Sequence, residues 1–314
     1  MYKLVHGFFY IISLLPLRIL YLLSDILFLL LYWIVGYRKK IVKSNLSKSF
    51  PEKSVRELKR IEKSFYRWLC DYFVESFKLI SMPREEVRKR LVLQNTEELE
   101  ECFKEGQSVA VVLGHYCNWE WLSCTPLYIS EDIKSGLIYH PLRNKVFDKL
   151  FIELRSHNDG VVVPKRDILR YLIDYNYKDI KSIFGYIADQ GPTYENIHLW
   201  INFLNQETGV FTGGERIMRK MNNAVFYAQM SRPKRGYYTC TFKLITKTPN
   251  DLPEHEITKR FFSMLEDMIR KEPRYYLWTH NRWKRTHEEF DRRYIVDAHG
   301  HIVARHKENI AKKD

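Results

Sequence analysis

The chain reads as an α/β protein: a mainly parallel sheet flanked by helices, with a hydrophobic, membrane-anchoring helix at its N-terminus. Three observations carry that class. From about Leu91 onward short apolar runs alternate with helical patterns, the order that builds parallel sheets covered by helices. Residues Phe8 to Val35 are mostly Leu, Ile, Phe and Tyr. The 314 residues, 28% of them charged, suffice for a full hydrophobic core.

The N-terminal run, residues 1–40, is expected to be the anchor. Pro16, Arg18 and Asp25 interrupt it, and from Ile19 to Tyr37 Asp25 is the only charge. That length is near the ~20 residues needed to span hydrocarbon. A charge at mid-bilayer costs on the order of 3 kcal/mol, which this many apolar residues can offset. Arg18 and Asp25 stand seven apart, on one helical face, and are expected to pair. Spanning and lying in the interface both fit the pattern; a buried hairpin of core helices is the competing reading. No small-residue cleavage site follows, so removal as a signal peptide is not expected. Arg38, Lys39, Lys40 and Lys43 come next. That cluster places the rest of the chain on the cytoplasmic side and suits anionic headgroups.

Phe50-Pro51 marks a break. Ser54 stands three residues before Glu57, a capping-box pattern. Leu58, Ile61, Phe65, Trp68, Tyr72 and Phe77 follow at near-helical spacing. They predict one long amphipathic helix ending near Pro83, within a segment 41–90 that packs on the core. Its aromatic stripe is read as core. In the α/β domain proper, 91–286, strands are expected at Val109–Leu113, Gly136–Tyr139, Val161–Val163, Ile183–Ala188, Leu199–Phe203, Val225–Gln229 and Tyr238–Leu244. Helices are expected at Glu97–Lys104, Trp119–Tyr128, Lys145–His157, Asp167–Tyr175, Gly214–Met221 and Glu256–Lys271. The strands near Tyr238 look antiparallel and suit a sheet edge. The polar tail, 287–314, is expected to add little to the core.

The formal charge of +13 favours an anionic partner. The basic residues are scattered and carry no nucleic-acid module, so nucleic acid is not the expected partner. The five cysteines, Cys70, Cys102, Cys117, Cys124 and Cys240, are odd in number and lack a CxxC. They read as reduced thiols of a cytoplasm-facing protein. Their spacing with His115 and His140 is not that of a zinc site, and neither metal nor cofactor is expected.

The most informative stretch is GHYCNWEW, Gly114 to Trp121. It follows the apolar run that ends at Leu113. On a continuous helix His115 and Glu120 would be rotated about 140° apart. The pair works only if His115 lies in the turn and Glu120 in the first turns of the next helix, reaching back to the ring. A carboxylate on one ring nitrogen fixes the tautomer and makes the other a better base. The bland alternative is a loop histidine and a solvated glutamate. Beside a membrane anchor, the pair points to activation of a hydroxyl on a lipid.

Other residues have weaker readings. Arg143 and Arg155 bracket a predicted helix and are candidates for acceptor phosphate or a developing oxyanion, against ordinary surface arginines. Asp189 ends a strand-like run, where ligand crevices of α/β sheets lie; a turn before Gly191-Pro192 also accounts for it. Gly213 and Gly214 open a helix whose amides suit an anionic group, or simply make a turn. Trp278, Arg282 and Trp283 mix rings and cations, as do residues at a headgroup interface. A core Trp flanked by exposed charges is the alternative. Together with Arg38, Lys39 and Lys40 they form the candidate membrane contact.

GHYCNWEW, IYHPLRNKVFDKLFIELR, GYIADQGP, FTGGERIMRK and LWTHNRWK, in that order, resemble the blocks of the bacterial lipid A biosynthesis (lauroyl/myristoyl) acyltransferases, within the wider H-x4-[DE] group with a glycerolipid acyltransferase-like fold. The resemblance spans about Met1 to Lys284. It implies transfer of an acyl chain from acyl carrier protein to a hydroxyl of a lipid A precursor at the inner membrane, with the catalytic domain facing the cytoplasm. It implies His115 as general base with Glu120 as partner, and functional roles for Arg155, Asp189 and Gln190. The segment INFLNQETGVFTGG departs from the family's usual Phe-Phe-Gly stretch, so acceptor and chain length do not carry over. The same chemistry on a glycerophospholipid, amino-acid lipid or glycolipid is the nearest rival. A non-catalytic adaptor that binds anionic lipid is the distant one.

Overall fold

The computed structural model describes residues 1–297 and 301–305. Its N-terminal helices are α1 (Tyr2–Leu14) and α2 (Leu17–Leu29), and α2 continues as a π-helical turn, Leu30–Val35. Pro16 separates them, because a proline inside a helix removes a hydrogen bond and clashes with the preceding turn. Then come α3 (Lys39–Ser49) and the long α4 (Val55–Lys78). The predicted capping box opens α4: Glu57 N–H donates to Ser54 Oγ at 3.3 Å and Ser54 N–H to Glu57 Oε2 at 2.8 Å. The apolar stripe does become core, with Phe65, Trp68 and Leu69 buried. α4 ends at Lys78, and α5 (Arg84–Arg90) starts after Pro83.

Helices and strands then alternate: β1 (Leu91–Gln94), α6 (Thr96–Lys104), β2 (Val109–Leu113), a 3-10 helix (Trp119–Leu127), β3 (Lys134–Tyr139), α7 (Lys145–Ser156), β4 (Val161–Pro164), α8 (Ile168–Tyr177) and β5 (Ser182–Ile187). A two-stranded ribbon, β6 (Leu199–Phe203) and β7 (Gln206–Val210), leads to α9 (Gly213–Lys220), β8 (Ala224–Lys234), β9 (Tyr237–Thr246) and α10 (Glu256–Lys271). The tail adds α11 (His287–Arg293), β10 (Tyr294–Val296) and β11 (Ile302–Ala304).

The main sheet has seven strands in the order β1-β9-β8-β2-β5-β3-β4. Every pairing in it is parallel except β9 with β8. The antiparallel pair lies toward one side of the sheet, as expected, but β1 caps it as the edge strand. All five residues of β2, at the middle of the sheet, are buried, which is why it reads as a continuous apolar run. The expected strand Leu199–Phe203 forms, but in a separate ribbon with β7. The expected helix after GHYCN is a 3-10 helix with Pro126 inside it.

One N-terminal expectation changes. Arg18 is exposed and does not pair with Asp25. Asp25 instead receives Arg235, from the β8–β9 turn, at 2.9 Å. The nearer helical neighbour lost because α2 is laid against the domain. In the tail, α11 buries Phe290 in a small cluster with Tyr194 and Trp200. The five cysteines are free and buried.

Candidate active site

Two neighbouring parallel strands deliver the central pair. In the β2–β5 register Leu113 stands opposite Ile187. Two residues past Leu113 is His115, and two past Ile187 is Asp189. Equal offsets beyond a paired register place both at the carboxyl edge of the sheet, where open α/β folds bind ligands. His115 Nδ1 lies 2.6 Å from Asp189 Oδ1. An ionised carboxylate only accepts, so Nδ1 carries the proton and Nε2 keeps its lone pair. Gln190 donates its Nε2–H to that Nε2 at 3.1 Å.

The loop is fixed from behind. Leu277 N–H donates to His115 O at 3.1 Å, and Cys117 N–H to Tyr275 O at 2.9 Å. Gly114 lets α10 close in, since a Cβ there would sit 2.8 Å from two Leu265 methyls. The Trp119 ring stands edge-on to His115, centroids 4.9 Å apart. His115 keeps 15% of its side-chain surface open while Asp189 keeps 3%, so the imidazole is reachable and its carboxylate partner is not.

Glu120 has other partners than the expected imidazole. Arg155, near the end of α7, grips it bidentately: Nε to Oε2 at 2.8 Å and Nη2 to Oε1 at 2.7 Å. Tyr72 on α4 adds its hydroxyl to Oε1 at 3.3 Å. The 3-10 geometry carries Glu120 into the interior between α4 and α7, where a guanidinium fork is available and the ring is already taken by Asp189. Burial raises both carboxyls, but their partners win. Arg155 and its hydrogen bonds hold Glu120 below the usual glutamate range, with His115 a weaker contributor. His115, followed by Arg282, holds Asp189 below the usual aspartate range.

The remaining candidates separate. Arg143 is exposed in the loop before α7. Gly213 and Gly214 do open a helix, α9, and Gly214 lies against Tyr186 of β5. Thr212 beside them borders a cleft of about 520 Å³ that His198, Arg216 and His255 also line. Lys40 is exposed; Lys39 sits over the Tyr32 ring at 3.8 Å, and Arg38 donates to Thr279 O at 3.0 Å. The reading of Trp278 and Arg282 as a headgroup contact is corrected: they are only 0% and 4% exposed. The bridge between Tyr116 and Tyr276 draws this block under the His115 loop. Trp283 turns inward too, donating Nε1–H to Thr208 Oγ1 at 2.7 Å. Arg282 donates to Gly209 O at 3.2 Å, while its Nε and Nη2 have no partner among the described residues.

Sequence reasoning assigned Tyr72 to the core stripe, and its ring is core. Its hydroxyl was the missed part; a tyrosine in a row of phenylalanine and tryptophan was the available signal, because buried tyrosines seek a partner.

A family model described as bacterial lipid A biosynthesis acyltransferase matches residues 1–285. The chain belongs to that family. It is therefore an acyltransferase of lipid A biosynthesis. No curated protein matches the chain. The match takes in the N-terminal helices and the block ending near Lys284.

Proposed function

We propose that this acyltransferase moves a fatty acyl chain from acyl carrier protein to a hydroxyl of a lipid A precursor, at the cytoplasmic face of the inner membrane. His115 is the general base and Asp189 orients it. The supporting observation is the 2.6 Å contact between His115 Nδ1 and Asp189 Oδ1, which leaves Nε2 as the basic atom. Gln190 occupies that lone pair at 3.1 Å and gives way to the acceptor hydroxyl.

The hydroxyl proton passes to Nε2 as the oxygen attacks the thioester carbonyl carbon. The tetrahedral intermediate then collapses, the C–S bond breaks, and the imidazolium returns the proton to the leaving thiolate. The products are the ester and the carrier thiol, and His115 is neutral again. Asp189 stabilises the imidazolium formed midway. Arg155, locked by Glu120, is assigned the positive charge for the developing oxyanion. Glu120 is thus a positioning residue for Arg155. The net charge of +13 suits both an acidic carrier protein and a phosphorylated acceptor.

The test is purified protein with radiolabelled acyl carrier protein and a panel of acceptors: a lipid A precursor, a lysophospholipid, an amino-acid lipid and a glycolipid. Label is expected in the lipid A precursor, with transfer lost in His115→Ala. Label in another acceptor alone would overturn the acceptor assignment. Wild-type transfer by His115→Ala would overturn the base.

A further inference from the structure

The stretch Leu17–Val35 is long and apolar enough to cross a bilayer, with 19 residues and a mean hydropathy of 1.9. The structure assigns it a different place. We infer that α1 and α2 lie flat in a single leaflet containing anionic lipid, outer faces in the acyl boundary, and that the chain does not cross to the other side.

The two faces of α2 differ. Leu17, Leu20, Ser24, Phe28 and Tyr32 are buried, three or four residues apart, against α4. Ile19, Leu22, Ile26, Leu29 and Trp33 are exposed on the other side. Leu4, Phe8 and Ile11 of α1 extend that apolar surface. An unpartnered apolar area of this extent on two adjoining helices marks a contact surface.

The inner face is tied to the water-soluble domain by polar groups at the middle of the helix. Tyr21 Oη–H donates to Glu75 Oε1 at 2.9 Å, and Ser24 Oγ–H to Asp71 Oδ1 at 2.7 Å. Asp25 meets Arg235 at 2.9 Å, and Arg235 meets Asp71 at 2.6 Å. Arg232 joins Asp71 and Glu75 at 2.8 and 2.9 Å. If α2 stood across the hydrocarbon, α4 and the β8–β9 turn would be carried to mid-depth with it. Each such charge costs about 3 kcal/mol at the bilayer centre, and the turn would bring unpaired backbone groups into lipid. Pulling α2 away instead would strip partners from buried carboxylates. A helix with one apolar face and one face on protein meets neither cost by lying in the interface, sunk ~5–10 Å.

The rim carries the matching charge. Lys39 and Lys63 lie 5.6 and 5.8 Å from the exposed Trp33 ring, and Lys40 and Lys43 are exposed close by. An exposed indole among lysines suits anionic headgroups.

The native cysteines are all buried, so introduced ones report position cleanly. Lys3→Cys, Arg18→Cys and Glu288→Cys would be made singly in the full chain. Each is treated with a membrane-impermeant maleimide in sealed inside-out and right-side-out vesicles. All three are expected to label from one side only, the same side. Labelling of Lys3→Cys or Arg18→Cys from the opposite side to Glu288→Cys would overturn the inference. In a second measurement, Leu22→Glu/Ile26→Glu is expected to lose at least tenfold in co-sedimentation with vesicles of phosphatidylethanolamine and phosphatidylglycerol, its circular dichroism unchanged. Undiminished co-sedimentation of that folded variant would equally overturn it.

Discussion

His115 Nδ1 and Asp189 Oδ1 stand 2.6 Å apart, although 74 positions separate them in the chain, because Leu113 and Ile187 are partners in adjacent parallel strands. The sheet register, more than the spacing within GHYCNWEW, decides which carboxylate meets the imidazole.

That relationship sets the first prediction. Asp189→Asn keeps the shape and removes the charge that fixes the tautomer. It is expected to lower kcat by ~10²–10⁴, the range of a general base, with KM for the acceptor little changed. The check is initial-rate acyl transfer on protein shown to be folded by circular dichroism. Wild-type kcat would remove Asp189 from the reaction.

A second prediction concerns Glu120 and Arg155. Arg155→Met leaves a buried carboxylate without its cation, which costs about 3–5 kcal/mol. At roughly 2–4 °C per kcal/mol for a chain of this size, thermal unfolding in detergent should fall by on the order of 10 °C. The double variant Glu120→Gln/Arg155→Met should regain most of that loss and remain inactive. An active double variant would show that the pair serves stability alone.

Acid should weaken the fold through His280. Burial is the main reason that its imidazole is pushed down to about 4 from the ordinary 6.5. Between those values the unfolded chain binds a proton that the folded chain refuses, so stability rises with pH. It is complete above pH 6.5 and declines as pH falls toward 4, by up to about 3 kcal/mol. Denaturant unfolding at a series of pH values should show that decline, and His280→Gln should flatten it. An equal slope in the variant would assign the acid sensitivity elsewhere.

Gly136 on β3 offers a packing test. A Cβ there would overlap Phe184 Cε1 and lie 2.7 Å from Val161 O. Gly136→Ala is expected to cost about 1–3 kcal/mol by overpacking, read as a lower denaturant midpoint. Pairing it with Phe184→Leu should restore part of the loss. An unaltered midpoint in Gly136→Ala would mean that the strands part without cost.

The sheet was legible because β2, β5 and the first half of β8 are buried strands written as apolar runs, and the helix Glu256–Lys271 because its apolar period is unbroken. Edge elements were not. β1 is four residues with an exposed Val92 and Gln94, too short for a period to show. At the site, His115 and Asp189 were both visible as residues at strand ends. Their partnership was hidden, since strand order is not written in either segment. Glu120 was misdirected for a related reason: its partner Arg155 lies 35 positions on, and proximity in the chain favoured the histidine. The Trp278–Trp283 block misled because rings among cations look alike at a bilayer surface and under the His115 loop.

The Tyr21 hydroxyl, Glu75 and the Asn118 amide form a short relay, with Asn118 Nδ2 at 3.4 Å from Glu75 Oε2. Tyr21 belongs to the greasy N-terminal helices, and Asn118 to the same loop as His115. Trimming those helices to make a detergent-free preparation would therefore withdraw a hydrogen-bond partner from the back wall of the His115 loop. The useful truncation is a repainted surface, polar outside and untouched within.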